Sequence, residues 1–153
     1  MASARLLVPV AALLIGGCRS AFGGEEDPGR QQFRAAKAQW EAAGVTSYSF
    51  IVANSCFCAM VGKEVQVRVD DGVITSLTLV EDSTPVPAQY VSQYRTLDAL
   101  FDLIEDALNR DAVYLEVQYD FAYGFPLQGY IDYSARTVDE EFGWAIDTFL
   151  PGT

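Results

Sequence analysis

Two alternating runs on either side of Asp71-Gly72 constrain the fold most strongly. Before this pair, Val65, Val67 and Val69 alternate with charged or polar residues, and a second β-prone run begins at Val73. Strict alternation predicts strands with one buried face. Asp-Gly is a favoured two-residue hairpin connection because both turn residues need positive φ. We therefore expect an antiparallel sheet at the centre of the fold.

Two amphipathic helices are predicted, one on each side of this hairpin. The first begins at Asp27-Pro28, where Asp is a good N-cap and Pro needs no backbone donor, and it ends at Gly44. The second follows Thr96 and continues to about Asn109. Their apolar stripes, at spacings of three and four, are Phe33, Ala36, Trp40 and Ala43, and then Leu97, Leu100, Phe101, Ile104 and Leu108.

Four further strands complete the predicted order of elements. One starts near Tyr48, and the others are expected over residues 113–120, 127–133 and 144–150, whereas residues 81–95 contain two prolines and predict a loop. We predict an α+β fold in the order α-β-β-β-α-β-β-β. Its antiparallel sheet of about six strands would have both helices packed on one face. Two weakly similar three-stranded halves are the alternative.

The first eighteen residues are typical of an export signal. Arg5 supplies one positive charge, an apolar stretch follows, and small residues precede Cys18. The stretch is shorter than the roughly 20 apolar residues of a membrane-spanning helix. The cysteine makes this segment resemble a bacterial lipoprotein signal, with Ile15-Gly16-Gly17-Cys18 as the lipobox and Cys18 as the lipidated residue. An uncleaved anchor and a buried core helix are the alternatives.

This interpretation divides the chain into three parts. Residues 1–17 are the signal peptide, residues 18–27 are the lipidated N-terminus with a flexible tether, and residues 28–151 are a single α+β domain. Acyl chains on Cys18 would attach the domain to a membrane of the cell envelope. Arg19 is not the aspartate that looks like an inner-membrane retention signal, which favours the periplasmic face of the outer membrane.

Composition limits the function. The chain has 21 acidic residues, 10 Lys and Arg and no histidine, which gives a formal net charge of −11. Such acidity argues against nucleic acid as a partner. The negative charge favours solubility, or alternatively the binding of a basic partner. Without histidine, Ser-His-Asp and Cys-His catalysis and imidazole metal sites are excluded. We therefore predict no catalytic residue, cofactor or metal, and favour a protein that is not an enzyme.

Cys56-Phe57-Cys58 is the one motif that looks reactive. Two nearby thiols in an exported protein tend to oxidise. Residues i and i+2 along a strand have Cα atoms about 6.5–7 Å apart, close to the upper limit for a disulfide. We therefore expect the pair at a strand end or bulge. A structural disulfide is favoured, and a redox-active dithiol, two free thiols and a soft-metal site are the alternatives.

A group of aromatic residues surrounds the Gly124-Phe125-Pro126 turn. If exposed, these residues would form a ridge that binds a protein, a peptide or a glycan. If they lie under a helix, they are ordinary core residues of strands, which is the favoured interpretation. The candidate partner-binding residues are Tyr119, Tyr123, Phe125 and Tyr130.

Several short motifs follow one another along the chain. They are Trp40, Tyr48-Ser49-Phe50, Cys56-Phe57-Cys58, Asp71-Gly72, residues 96–101, Tyr119-Asp120, Gly124-Phe125-Pro126 and Asp132. This order, from about Phe33 to Phe149, resembles a family of small bacterial lipoproteins and secreted proteins known only as a domain of unknown function. The resemblance implies no activity. The order of segments is also similar to small periplasmic α+β modules that bind or scaffold other proteins, such as outer-membrane assembly lipoproteins and β-lactamase-inhibitor-like domains, a likeness of fold alone.

Together these observations predict a lipid-anchored envelope lipoprotein that binds or scaffolds an envelope protein and is not an enzyme. The alternatives are a thiol-redox or envelope-stress protein that uses Cys56 and Cys58, and an enzyme that uses carboxylates alone, which would need two facing Asp or Glu residues in a deep pocket.

Overall fold

The computed structural model describes residues 27–137 and 139–152. The predicted signal peptide, the predicted lipidation residue Cys18 and all but the last residue of the predicted tether lie outside these ranges. Within the described ranges, no helix combines the length and the apolar character needed to cross a membrane.

The described residues form one antiparallel sheet and three helices. The elements are α1 (Pro28–Ala43), β1 (Tyr48–Cys56), β2 (Glu64–Asp70), β3 (Val73–Leu79), a 3₁₀ helix (Ala88–Gln93), α2 (Leu97–Asn109), β4 (Tyr114–Tyr119), β5 (Pro126–Asp132) and β6 (Phe142–Pro151). The spatial order of the strands is β3-β2-β1-β6-β5-β4. The predicted α+β fold with a six-stranded sheet is confirmed. Because β1 pairs with β6 along its whole length, the two halves of the chain share one sheet.

The hairpin between β2 and β3 has the predicted turn. Asp71 has φ 48° and Gly72 has φ 76°, so both occupy the left-handed region that this two-residue connection requires. The three valines of β2, Val65, Val67 and Val69, are buried, and the residues between them are exposed. Local turn chemistry and strand alternation therefore agree, which fixes the register of this part of the sheet.

Both helices begin at the predicted caps. The Asp27 carboxylate accepts a hydrogen bond from the Gly29 N–H at 2.8 Å, and the Thr96 hydroxyl accepts one from the Ala99 N–H at 3.1 Å. These bonds satisfy backbone donors that a helix N-terminus leaves free. Gly44 ends α1 in the left-handed conformation, with φ 62°.

The two helices pack on the same face of the sheet. The ring of Trp40 in α1 meets that of Tyr48 in β1 edge-on at 5.5 Å between centroids. The ring of Phe101 in α2 stacks on Tyr119 of β4 at 6.3 Å. Phe33 of α1 also contacts Phe101, so the helices share one core with the sheet. The opposite face carries mostly polar or small side chains, including Ser49, Ala53, Gln66, Arg68, Gln128, Ala145 and Asp147.

The segment predicted as a loop contains a short helix. Ala88–Gln93 forms a 3₁₀ helix that begins after Pro87, with the Tyr90 N–H donating to the Pro87 carbonyl at 2.8 Å. Prolines in the sequence predicted an irregular segment, but they did not reveal that two turns of 3₁₀ helix would follow them. This helix brings the Gln93 carbonyl to the buried Asn54 side chain, whose Nδ2 donates to it at 2.9 Å.

Candidate functional site

The two cysteines lie where β1 ends. Cys56 is the last residue of β1, and its sulfur is at bonding distance from that of Cys58. A tight turn, in which the Cys58 N–H donates to the Cys56 carbonyl at 2.9 Å, reduces their Cα separation to 5.2 Å. This distance falls within the range usual for disulfides, which two residues of a regular strand would barely reach.

The cysteine turn is open to solvent. Phe57, between the two cysteines, is 82% exposed, and Val61 is also exposed. Both cysteines are partly exposed and line a shallow cavity of about 370 Å³, together with Phe57, Ala59 and Val61. The cysteine turn therefore lies at the surface of the described fold.

The four aromatic candidates do not form one surface. Phe125 is 2% exposed, and its ring lies 4.7 Å from that of Phe149 in the core. Tyr119 stacks on a helix residue, and Tyr123 packs edge-on against Phe149 at 5.1 Å. Tyr130 lies on the other face of the sheet, beside Tyr114. Three of the four therefore pack on the helix side, and a shared aromatic ridge is not present among the described residues.

The turn that joins β4 to β5 has a structural role. The Asp120 carboxylate accepts hydrogen bonds from the N–H groups of Ala122 and Tyr123, at 3.0 and 2.7 Å. Gly124, with φ 81°, lies so close to α1 that a Cβ there would be 2.6 Å from the Ala36 carbonyl oxygen. The residues of the Tyr119-Asp120 and Gly124-Phe125-Pro126 motifs therefore hold the helix against the sheet.

The described acidic residues do not converge on a metal site. No group of three or more Cys, Asp or Glu side chains among these residues is placed to hold a metal ion. Several carboxylates have structural partners instead. Asp98 accepts the Trp40 indole N–H at 3.0 Å, and Glu105 pairs with Lys37 at 3.1 Å. This contact of Asp98 with Trp40 was not predicted from the sequence.

Sequence analysis also missed a groove beside β4. It has a volume of about 220 Å³ and lies between the two helices and this outermost strand. The strand itself was predicted, but its position at the edge depends on pairings between residues distant in the chain. Its lining consists of Gly29, Gln32, Ile104, Leu108, Leu115, Glu116, Val117 and Tyr119.

Burial raises the pKa of several tyrosines, most strongly those of Tyr48 and Tyr119. Desolvation raises the pKa of Tyr119 to about 12, and it raises the pKa of Tyr48 further still. The Tyr48 hydroxyl oxygen accepts the Leu97 N–H at 3.0 Å, but this bond offsets only part of the desolvation. Both phenols are therefore harder to ionise than tyrosine in an unfolded chain.

We expect the free energy of unfolding to fall as the pH rises above about 10. Between that pH and the raised pKa values, the folded state holds protons that the unfolded state has lost, so deprotonation favours unfolding. Urea denaturation followed at a series of pH values from neutral to alkaline measures this slope. Tyr119→Phe should make the slope shallower. An unchanged alkaline slope in that variant would contradict the assignment to Tyr119.

Comparison with known proteins identifies the family of this chain. No curated protein matches it. A family model described as a family of unknown function, DUF6174, matches residues 32–151, which include all six strands, α2 and most of α1. The resemblance inferred from the sequence motifs is thus confirmed. This chain belongs to the DUF6174 family of unknown function.

Proposed function

We propose that this protein is a lipid-anchored module of the bacterial cell envelope that binds or scaffolds another protein and catalyses no reaction. The observation that carries the proposal is Cys18, which directly follows Gly16-Gly17 at the end of a short apolar segment. Cleavage before Cys18 would leave its amine as the new N-terminus. Its thiolate would displace the phosphate headgroup of a phospholipid, which leaves as the phosphate ester, and so form a thioether to the diacylglyceryl group.

Such an anchor is physically sufficient. A single acyl chain binds a membrane only marginally, whereas two chains give stable attachment. The body is strongly acidic, and removal of residues 1–17 takes away Arg5 and no carboxylate. Anionic lipid would therefore repel the domain, and attachment would depend on the acyl chains. Arg19 stands where an inner-membrane retention signal would have aspartate. This supports a location on the periplasmic face of the outer membrane.

The folded body supports a binding role in two ways. The chain has no histidine, so the most common general base and metal ligand is missing. The sheet leaves one face and one outer strand uncovered by described residues, which is surface available to a protein partner. The acidity of the chain argues against nucleic acid as that partner.

Replacing Cys18 tests the anchor. We expect Cys18→Ser protein to be exported without acyl chains and to leave the membrane fraction, whereas a Ser20→Ala control stays there. Crosslinking in intact envelopes should recover the same specific partner with the wild-type protein in repeated preparations. Cys18→Ser protein that is exported, unmodified and still wholly bound to the bilayer would contradict the proposal, as would the lack of any partner under several conditions.

A thiol-redox role is the second candidate, favoured by the exposure of the cysteine turn. The thiolate of an external dithiol would attack one sulfur of Cys56–Cys58 and form a mixed disulfide. The second external thiol would then attack this mixed disulfide and release the remaining cysteine as a thiol. Cys56 and Cys58 are then both reduced, and the external dithiol is oxidised to a disulfide. Titration against a dithiol buffer tests this role, because structural disulfides typically have potentials below about −300 mV. A potential in that range would contradict it.

A further inference from the structure

The two edges of the sheet are closed to different extents. Beside β3 the chain returns along the strand, so that the Leu79 N–H donates to the Thr84 carbonyl at 2.8 Å and the Val86 N–H donates to the Leu77 carbonyl at 3.0 Å. Pro85 also forms a bridge with Thr78. Beside β4, none of residues 27–137 and 139–152 forms such a bridge. One edge is therefore occupied by the chain itself, and the other is open.

The β4 edge has only part of the protection that is usual for an edge strand, namely the exposed charge of Glu116 and a register shift at its last residue. Edge strands commonly carry lysine, proline or a charge that points inward. Tyr114–Tyr119 contains no lysine or proline, and its helix-side residues, Leu115, Val117 and Tyr119, are uncharged and half-buried. The pairing with β5 is regular up to a shift between Gln118 and Tyr119. Six residues are as long as a typical strand, so a partner strand could pair along all of it.

The groove described above lies along the helix side of this edge. Leu115 and Val117 form the wall nearest the edge, and Ile104 and Leu108 of α2 contribute to the opposite wall. Because side chains alternate along a strand, a strand added to β4 would direct every second side chain towards this groove. A volume of about 220 Å³ accommodates aliphatic side chains of valine or leucine size.

Charge selects the occupant of this site. Glu116 is exposed near the middle of β4, on the side away from the helices, and Asp132 lies across from Tyr114 on β5. If two copies paired through β4 with their apolar side chains on one face, Glu116 of one copy would lie opposite or diagonal to Glu116 of the other. Like charges in those positions destabilise a sheet, and both chains are strongly acidic. Basic residues at the matching positions would be favourable.

We propose that the β4 edge and its groove bind an extended segment of a partner protein in which apolar and basic residues alternate. Main-chain hydrogen bonds to β4 add a seventh strand to the sheet, apolar side chains enter the groove, and lysine or arginine side chains face Glu116. This inference rests on the proposed binding function and names the surface and the class of partner.

A designed peptide tests the proposal. The probe is the heptapeptide Lys-Val-Lys-Val-Lys-Val-Lys with blocked ends, titrated into the full-length isotope-labelled protein and followed by NMR. We expect shifts of the backbone amides of residues 114–119 and of the Leu108 and Leu115 methyl groups. The same peptide N-methylated at alternate residues keeps its charge but loses strand pairing, and its affinity should fall about tenfold or more.

Two protein variants that change the net charge by the same amount distinguish binding at the β4 edge from attraction to the net negative charge of the protein. Glu116→Lys should weaken the probe about fivefold, the effect of one favourable surface charge pair. Glu64→Lys, on an exposed position of β2 remote from the groove, should leave the affinity within about twofold. Equal losses in the two variants would overturn the proposal, because they would show attraction to net charge only.

Other outcomes also decide the matter. Equal affinity of the N-methylated peptide, or shifts confined to other residues, would overturn the proposal. So would a concentration-dependent dimer of the protein alone with shifts at residues 114–119, because it would assign the edge to a second copy. If the probe does not bind while Cys18→Ser still releases the protein, this inference fails and the anchor stands. If the probe binds at residues 114–119 while Cys18→Ser protein stays wholly bound to the membrane, the edge site stands and the anchor fails.

Discussion

Replacing Trp40 with alanine is expected to lower the free energy of unfolding by about 4 kcal/mol. Trp40 is 3% exposed, and its indole ring contacts the rings of Tyr48, Phe125 and Phe149. Through Tyr48 and Phe149, these contacts join α1 to the two central strands of the sheet, β1 and β6. Truncation would leave a large cavity among aromatic side chains that cannot all move to fill it. Urea denaturation of the variant measures the loss.

Trp40→Phe is the matched control for this change. It keeps an aromatic ring but removes the indole N–H that donates to Asp98 at 3.0 Å. We expect it to cost about 1–3 kcal/mol, clearly less than alanine, since most of the buried ring area remains. A Trp40→Ala loss below about 1 kcal/mol would show that α1 is not held to the sheet in the way described.

Gly124→Ala is expected to cost about 3 kcal/mol. Gly124 has φ 81°, a conformation that alanine adopts only with strain, and its added Cβ would meet the Ala36 carbonyl oxygen of α1. Because that oxygen belongs to the helix backbone, the clash can be relieved only if α1 moves away from the turn. Thermal or urea denaturation would measure the destabilisation, and near-UV circular dichroism of the buried aromatic residues would detect the displacement of α1.

The hairpin glycine separates the two causes. Gly72 has φ 76°, and nothing lies within 4 Å of the Cβ that alanine would add there. Gly72→Ala should therefore carry only the conformational strain, about 1–2 kcal/mol. If the two alanine variants lost the same free energy, the close approach of α1 to the β4–β5 turn would be contradicted.

Most of the fold could be predicted because its signals are local. The Asp27 and Thr96 caps, the left-handed Gly44 and the Asp71-Gly72 turn each act on residues within four positions of themselves. Apolar residues recur at every second position in β2 and at every third or fourth position in α2, and this spacing indicates which side chains are buried. These features set the elements and their bounds to within a few residues. They contain no information on which strands become neighbours.

The candidate site could be predicted only in part for the same reason. The cysteines at the end of β1 could be placed from Cα geometry alone. The aromatic group could not be sorted into faces, because the register of β4 with β5 is not a local signal. Tyr130 pairs with Glu116 on the outer face, whereas Tyr119 lies on the helix side with Leu115 and Val117. The open β4 edge follows from the β1–β6 pairing, which joins residues about a hundred positions apart.

The intact mass of the native protein extracted from membranes decides whether Cys18 carries the anchor. We expect a chain that begins at Cys18 and carries a diacylglyceryl group and an N-linked acyl chain, with two hydrogens fewer than the reduced form because Cys56 and Cys58 are joined. A membrane-bound protein that retains residues 1–17 and has no added lipid would contradict it.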